Sequence, residues 1–192
     1  MDVVLATSNP GKAREARAIL DGSALAVVTL PMWLGEIETG TTLLENARIK
    51  AWSASRFVHA DVLAEDAGIE VDALNGLPGV HSARFAGPGA TPAQNNAKLL
   101  RLLDGVPAEK RTARYRIVAV LRLRSGEEIV GEGMWEGSVI DAPRGDGGFG
   151  YDPLFVPDGR SLTVAELSPD EKNGISHRAQ ALREIATRIG ER

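Results

Sequence analysis

The segment that most constrains the fold lies near the middle of the chain, where apolar residues occupy every second position. Residues 113–123 carry an apolar side chain at each odd position, and three arginines stand between them. A period of two residues predicts a β-strand with one exposed face. A Ser-Gly turn at residues 125–126 and a partner strand ending near Val139 follow, so we predict an antiparallel hairpin.

The first half of the chain alternates short apolar runs with helical patterns. We predict strands at residues 3–7, 25–30 and 61–64, and helices that begin near Pro10, Thr42 and Thr91. Strands that alternate with helices favour parallel pairing, whereas the later hairpin is antiparallel. The sequence therefore predicts an α/β fold with a mixed sheet, as a single domain over residues 1–192.

Composition excludes several classes of function. The chain has 192 residues, of which 43% are hydrophobic and 25% charged, and its net charge is −4. This acidic balance offers no basis for binding nucleic acid. No apolar run is long enough for a membrane span and the first residues carry no basic leader, so we expect a cytoplasmic protein. Cysteine is absent, which leaves carboxylates to bind hard cations such as Mg²⁺.

The first candidate site is the turn between the first strand and the first helix, with the sequence Thr7-Ser8-Asn9-Pro10-Gly11-Lys12. Free backbone N–H groups at a helix start bind anions, and a lysine adds a charge for phosphate. The turn lacks the glycine spacing and the Lys-Ser/Thr pair of a Walker A loop. The alternative interpretation is a capped helix with a solvated lysine.

The second candidate is a pair of acids, Glu65 and Asp66, directly after the apolar run 61–64. Open α/β sheets bind ligands at the carboxyl ends of their strands, where a carboxylate can hold Mg²⁺ or orient water. The alternative is a charged junction between strand and loop. Glu36 and Glu38 offer further carboxylates upstream, for which solvated loop acids are the simpler explanation.

The third candidate combines glycines with aromatic rings. Residues 147–153 place three glycines beside Phe149 and Tyr151, followed by Asp152. This pattern predicts backbone in close contact with a flat ring, and a carboxylate that accepts from a ring N–H. A plain turn with two core aromatics is the alternative.

The fourth candidate is a run of charges near the carboxyl end. Lys172, His177 and Arg178 lie within seven residues, and the last two follow Ser176, a predicted helix cap. His177 and Arg178 behind this cap predict a clamp for phosphate or for a base carbonyl. Solvated charges are the alternative.

Together these segments resemble the Ham1-like inosine/xanthosine triphosphate pyrophosphatases. The shared motifs are residues 7–12, 45–47 with 50–51, 65–68, 77–84, 148–153 and 175–178. They occur in order from about residue 3 to residue 189 without a large insertion. The segments Gly-Phe-Gly-Tyr-Asp-Pro and Ser-His-Arg are the most specific.

The resemblance implies an elongated mixed sheet flanked by helices in a single two-lobed unit, a homodimer, and Mg²⁺-dependent cleavage between the α and β phosphates. Asp66 would be metal ligand and proton acceptor, with Glu38 or Glu36 as the additional metal carboxylate. The implied substrate-binding residues are Thr7, Ser8, Asn9, Pro10, Gly11 and Lys12 for the phosphates, and Phe149, Gly150, Tyr151, Asp152, Lys172, His177 and Arg178 for base and sugar. Ala67 stands where many members have serine, so any substrate contact there must come from its backbone N–H.

The sequence therefore predicts an enzyme that converts ITP, dITP and XTP into the monophosphate and pyrophosphate. Discrimination against adenine would use groups that match a 6-oxo purine. A non-catalytic nucleotide-binding protein of the same fold is one alternative. A pyrophosphatase for modified pyrimidine triphosphates is the other.

Overall fold

The structure is a computed structural model that describes residues 1–29 and 38–192. Its strands are β1 (Asp2–Leu5), β2 (Ala26–Thr29), β3 (Asp61–Val71), β4 (Thr112–Arg122), β5 (Glu128–Val139) and β6 (Phe155–Pro157). Its helices are α1 (Pro10–Leu20), α2 (Leu43–Ser55), α3 (Pro92–Leu102), α4 (Pro169–Ile175) and α5 (His177–Gly190).

The strands form one mixed sheet in the order β2-β1-β3-β4-β5-β6. β1 is parallel to both of its neighbours, with Val3 opposite Val27 in β2 and opposite Asp61 in β3. β6 is antiparallel to β5, with Val139 opposite Phe155. Parallel neighbours need crossover connections such as α1, and antiparallel ones do not. The predicted α/β fold with a mixed sheet is confirmed.

The helix starts that were predicted from capping residues are also confirmed. Thr42 accepts from the Glu45 N–H at 3.1 Å, and the Glu45 carboxylate accepts from the Thr42 N–H at 3.1 Å. Thr91 and Gln94 form the same reciprocal pair at the start of α3. Each pair satisfies backbone donors that have no partner inside the helix, which explains why α2 and α3 begin there.

The predicted end of the third strand at residue 64 is wrong. β3 continues to Val71, so Glu65 and Asp66 lie within the strand, where they are 2% and 5% exposed. Buried charges persist only when oppositely charged partners satisfy them. Gly68 allows the strand to continue, because a Cβ there would lie 2.2 Å from the Gly79 carbonyl oxygen.

The prediction of one exposed face is right for only the first half of β4. Tyr115 is buried and Arg116 exposed, as the alternation predicts. Residues 117–121, however, are buried at every position. A strand that is covered on both faces shows no alternation, so the prediction is wrong for that half.

The chain forms two compact units. The first comprises Met1–Asp66, Ile117–Gly133 and Asn173–Arg192, and the second comprises Ala67–Arg116 and Met134–Lys172. Within the first unit α1 packs against α5, and within the second α3 packs against a 3₁₀ segment, Gly79–Arg84.

The carboxyl-terminal helical region divides at Ser176. α4 ends at Ile175, and the Ser176 hydroxyl accepts from the Ala179 N–H at 3.2 Å to begin α5. The predicted serine cap is therefore confirmed, and His177 and Arg178 are the first two residues of α5. None of the helices in the described ranges is long and apolar enough to cross a membrane.

Candidate active site

The turn after β1 is built around Asn9, the N-cap of α1. Its side-chain oxygen accepts from the N–H groups of Gly11 at 2.8 Å and Lys12 at 3.2 Å. Its own N–H donates to the Thr7 hydroxyl at 3.2 Å. The expectation that the helix-start N–H groups are free is therefore wrong for Gly11 and Lys12, because an asparagine cap satisfies them first. The turn therefore offers an anion the Lys12 ammonium and hydroxyl groups, including that of the exposed Ser8.

Lys12 belongs to a group of alternating charges in the first unit, at whose buried centre lie Glu65 and Arg178. Its ammonium lies 3.4 Å from Glu65 Oε1. The same carboxylate accepts from Arg178 Nε at 3.0 Å and from Nη2 at 2.8 Å, and Glu15 of α1 is a second acceptor for Arg178. Arg178 is 2% exposed, so the alternative of a solvated charge is wrong for it.

Burial and ion pairing shift the pKa values of this group in opposite directions. Burial alone would raise the pKa of Glu65, but the charges of Arg178 and Lys12 outweigh it and lower that pKa to about 2. Burial lowers the pKa of Lys12, and the attraction of Glu65 offsets only part of this effect. A further anion near Lys12, such as a phosphate, would therefore stabilise the charged form of its ammonium.

A second charged group in the first unit surrounds Asp66. Lys50 of α2 donates to Asp66 Oδ1 at 2.7 Å and to Glu38 Oε1 at 2.9 Å. Asn46, one helical turn earlier, donates to Asp66 Oδ2 at 3.1 Å. The Asn46 side-chain oxygen accepts in turn from the Gly40 N–H at 2.9 Å, which fixes the orientation of the amide. One ammonium thus bridges the two carboxylates that were predicted as metal ligands.

The two carboxylates of this group are only partly neutralised. Burial raises the pKa of Asp66; Lys50 opposes this rise, Glu38 adds to it, and the net effect is a raised pKa. Among residues 1–29 and 38–192, no cluster of three or more His, Cys, Asp or Glu side chains could hold a metal ion. Mg²⁺ commonly takes only one or two protein carboxylates together with substrate phosphates, so a pair of acids suits it.

The second unit contains the loop at residues 147–153. Asp152 Oδ2 accepts from Lys172 Nζ at 2.6 Å and from the Phe149 N–H at 2.8 Å, while Oδ1 accepts from the Tyr115 hydroxyl at 3.0 Å. The Lys172 ammonium also lies 4.6 Å from the centre of the Phe149 ring. Lys172 is 5% exposed, which overturns the alternative of a solvated charge.

The two aromatic residues of this loop have different surroundings. Tyr151 is 4% exposed and its hydroxyl donates to the Ser82 carbonyl at 2.8 Å, so it is a core residue. Phe149 is only half-buried. Gly148 has a φ of +70°, and a Cβ there would lie 2.1 Å from Asp152 Oδ2. Glycine is therefore required for the carboxylate to fold back onto the loop.

The structure distributes the predicted site residues over both units. Thr7, Ser8, Asn9, Pro10, Gly11, Lys12, Glu38, Asp66, His177 and Arg178 belong to the first unit, and Ala67, Phe149, Gly150, Tyr151, Asp152 and Lys172 belong to the second. His177 is 4% exposed and is not a solvated side chain. Glu36 lies outside the described residues.

The sequence analysis gave no site role to four residues that hold the predicted ones in place, namely Asn46, Lys50, Glu15 and Tyr115, although the first two fall within a shared motif. A signal for the first two existed, since both lie among the buried residues of α2, of which most of the others are alanine or leucine. Polar residues at helical spacing on an apolar face indicate a buried partner. Tyr115 likewise lies on the inward face of the alternating strand.

Fold and charge distribution define an α/β protein whose sheet carries two adjacent buried carboxylates, one paired with arginine and the other with lysine. The chain belongs to the Ham1 family, whose model matches residues 3–188. The resemblance noted from the motifs is thus confirmed.

Proteins of similar sequence and structure agree with this assignment. A dITP/XTP pyrophosphatase of Symbiobacterium thermophilum is 52% identical over 97% of this chain and 94% of the relative. One of Geobacillus kaustophilus is 48% identical over 96% of this chain and 92% of the relative. The solved structure of a HAM1 protein from Coxiella burnetii matches with a TM-score of 0.87 at 37% identity, over 100% of both chains.

Proposed function

We propose that this chain hydrolyses the non-standard purine nucleoside triphosphates ITP, dITP and XTP to the monophosphate and pyrophosphate. Relatives named dITP/XTP pyrophosphatase, 48% and 52% identical over nearly the whole chain, support this proposal. The structural observation that carries it is the group of Asp66, Lys50 and Glu38, in which Asp66 and Lys50 are buried. Phosphoryl transfer depends on carboxylates that hold a metal and on cations that meet the phosphate charge, and this group contains both.

We propose Mg²⁺ as the cofactor, with Asp66 and Glu38 as its protein ligands. The donor set fits, because both side chains present oxygen to one cation already, the Lys50 ammonium, at 2.7 and 2.9 Å. Glu36, outside the described residues, is the alternative second ligand. When bound, the metal supplies positive charge that neutralises the triphosphate.

Asp66 is the proposed proton acceptor for the attacking water. As a buried carboxylate, Asp66 can accept a proton from a water held against it. Lys50 and Asn46 hold its two oxygens from one face of α2, which orients the carboxylate before substrate binds. Both Asp66 oxygens therefore have a defined direction, as general-base catalysis requires.

The phosphates are assigned to the turn after β1. Lys12 and the hydroxyl groups of Thr7 and Ser8 are the proposed contacts, and Asn9 shapes the turn by capping α1. The leaving pyrophosphate would be stabilised by the Lys12 charge. Pro10 and Gly11 complete the turn, and the backbone N–H of Ala67 is a further proposed contact.

Base and sugar are assigned to residues 149–152 with Lys172, His177 and Arg178. The half-buried Phe149 ring offers a flat apolar face, with the Lys172 ammonium 4.6 Å from its centre. Arg178 donates from Nε, Nη1 and Nη2 to Glu65 and Glu15. Because these bonds engage all three of its nitrogens, we propose that Arg178 contributes to the base site mainly by holding these two acids in place.

We also propose that the chain is a homodimer that acts in the cytoplasm. The family resemblance supports the dimer, and the proposed substrates belong to the nucleotide pool of the cytoplasm. A molar mass of about twice the 20.4 kDa chain in light scattering would support the dimer. A mass equal to one chain would refute it.

The decisive experiment is a substrate panel with product identification. Purified protein with Mg²⁺ receives dITP, XTP, ITP, ATP and a modified pyrimidine triphosphate, and pyrophosphate and orthophosphate are measured separately. We expect pyrophosphate and monophosphate from the first three, and loss of turnover when EDTA removes the metal. Turnover of the pyrimidine alone, or binding without turnover, would replace this proposal by one of its two alternatives.

A further inference from the structure

Among the described residues three donors hold Asp152, and one of them, the Tyr115 hydroxyl, has no role in the function proposed above. We propose that Tyr115 is a positioning residue that sets purine selectivity by holding the Asp152 carboxylate. The inference rests on the proposed function and concerns how the loop at residues 147–153 recognises the base.

The hydrogen bonds to Asp152 leave its two oxygens unequal. Oδ2 accepts from Lys172 Nζ at 2.6 Å and from the Phe149 N–H at 2.8 Å. Oδ1 accepts from the Tyr115 hydroxyl at 3.0 Å. A carboxylate oxygen accommodates about two donors, so among the contacts of the described residues Oδ2 is saturated and Oδ1 keeps one acceptor position. The direction of that position is set by Tyr115.

Tyr115 is itself held firmly. It is 8% exposed, and its ring packs edge-on against Phe155 with centroids 4.8 Å apart at 67°. Phe155 in turn lies 6.1 Å from the Trp135 ring. This packing prevents the phenol from swinging away, so its hydroxyl is a rigid support for Asp152.

The remaining acceptor position distinguishes purines by their N1 atom. A 6-oxo purine carries a hydrogen on N1 and can donate to a carboxylate oxygen. Adenine carries a lone pair on N1, which a carboxylate repels. A rigid Oδ1 therefore favours inosine and xanthosine bases, since a buried acceptor without a donor costs free energy.

Removal of the Tyr115 hydroxyl would leave Asp152 anchored at Oδ2 alone. The carboxylate could then turn about the bonds to Lys172 and Phe149, and Oδ1 would lose its fixed direction. Tyr115→Phe removes only this hydroxyl and keeps the ring that packs on Phe155. The expected result is a KM for dITP raised about tenfold, with kcat changed less than about twofold. Because dATP makes no such hydrogen bond, its kcat/KM should stay the same and the selectivity ratio should fall about tenfold.

Thr112→Val is the matched control. Thr112 lies on the same strand and donates its hydroxyl to the Asp72 carboxylate at 2.6 Å, so the variant removes the same kind of bond elsewhere in the second unit. It should leave the ratio of dITP to dATP turnover unchanged. A purely structural role of Tyr115 would lower the melting temperature and reduce both substrates by the same factor, and that result would overturn the inference.

A binding measurement separates this inference from the proposed function. Calorimetric titration with dIMP needs no turnover, and we expect Tyr115→Phe to weaken it about tenfold while leaving dAMP binding unaltered. Equal dIMP affinities in wild type and Tyr115→Phe would refute the role of Tyr115 even if the enzyme is active. Absence of turnover in the wild type would count against the proposed function alone.

Discussion

Replacement of Arg178 by methionine tests whether the buried charge group of the first unit stabilises the fold. Arg178 makes three hydrogen bonds to Glu65, at 3.1, 3.0 and 2.8 Å, and pairs with Glu15 as well. Methionine keeps much of the side-chain volume but none of the charge. The variant therefore leaves Glu65, whose side chain is 1% exposed, with Lys12 at 3.4 Å as its cationic neighbour.

The expected cost follows from that geometry. Removing one partner of a buried ion pair costs about 3–5 kcal/mol. Lys12 compensates part of the charge, so we expect the free energy of unfolding to fall by about 3 kcal/mol. For a chain of this size each kcal/mol lowers the melting temperature by about 2–4 °C. The expected shift is therefore about 6–12 °C.

Urea unfolding at neutral pH, followed by circular dichroism, measures the change in the free energy of unfolding. Arg188→Met is the control, because Arg188 lies on the same helix with its side chain 51% exposed; it donates to the Val130 carbonyl at 2.8 Å and pairs with Glu184 at 3.8 Å. An exposed pair of this kind contributes at most about 1 kcal/mol. A loss below about 1 kcal/mol in Arg178→Met, or equal losses in both variants, would contradict the reasoning.

Three further predictions concern the proposed chemistry and the packing of the sheet. Asp66→Asn should abolish pyrophosphate release, because an amide is a poor Mg²⁺ ligand and a poor base. The circular dichroism spectrum should stay unchanged, and the control variant Glu70→Gln on the same strand should stay active. Lys12→Ala should lower kcat/KM for dITP and XTP by a similar factor, since both present the same phosphates, and an effect on one base alone would remove Lys12 from the phosphate site. Gly131→Ala should lower the melting temperature by several degrees, because its Cβ would lie 2.2 Å from the Ala181 carbonyl oxygen; an unchanged melting temperature would show that the helix moves away at no cost.

Helix starts could be predicted from the sequence because their causes are local. The capping box of Thr42 and Glu45 spans four residues, so both partners lie within one short segment of the sequence. The course of β3 could not be predicted in this way. Glu65 can continue a buried strand because distant cations neutralise it, above all Arg178, 113 positions later.

In the candidate site, too, local features could be predicted from the sequence and long-range contacts could not. Residues such as Lys12 and Asp66 were identified by their motifs, yet their surroundings depend on contacts between distant segments. Lys50 lies 16 positions before Asp66 and bridges it to Glu38. No local pattern identifies Asp66 as the partner of Lys50. The placement of a lysine on the buried face of α2 indicates only that a carboxylate partner exists.

The one-turn spacing of Asn46 and Lys50 on α2 determines where the chain can change its length. Both side chains reach the same carboxylate, Asp66, from one helix face. A helix turns by about 100° per residue, so one residue inserted between them would carry one of the two to another face. Length variation in this region should therefore be confined to the turn between α2 and β3, where the exposed His59 lies, while the interval from Asn46 to Lys50 keeps its four-residue step.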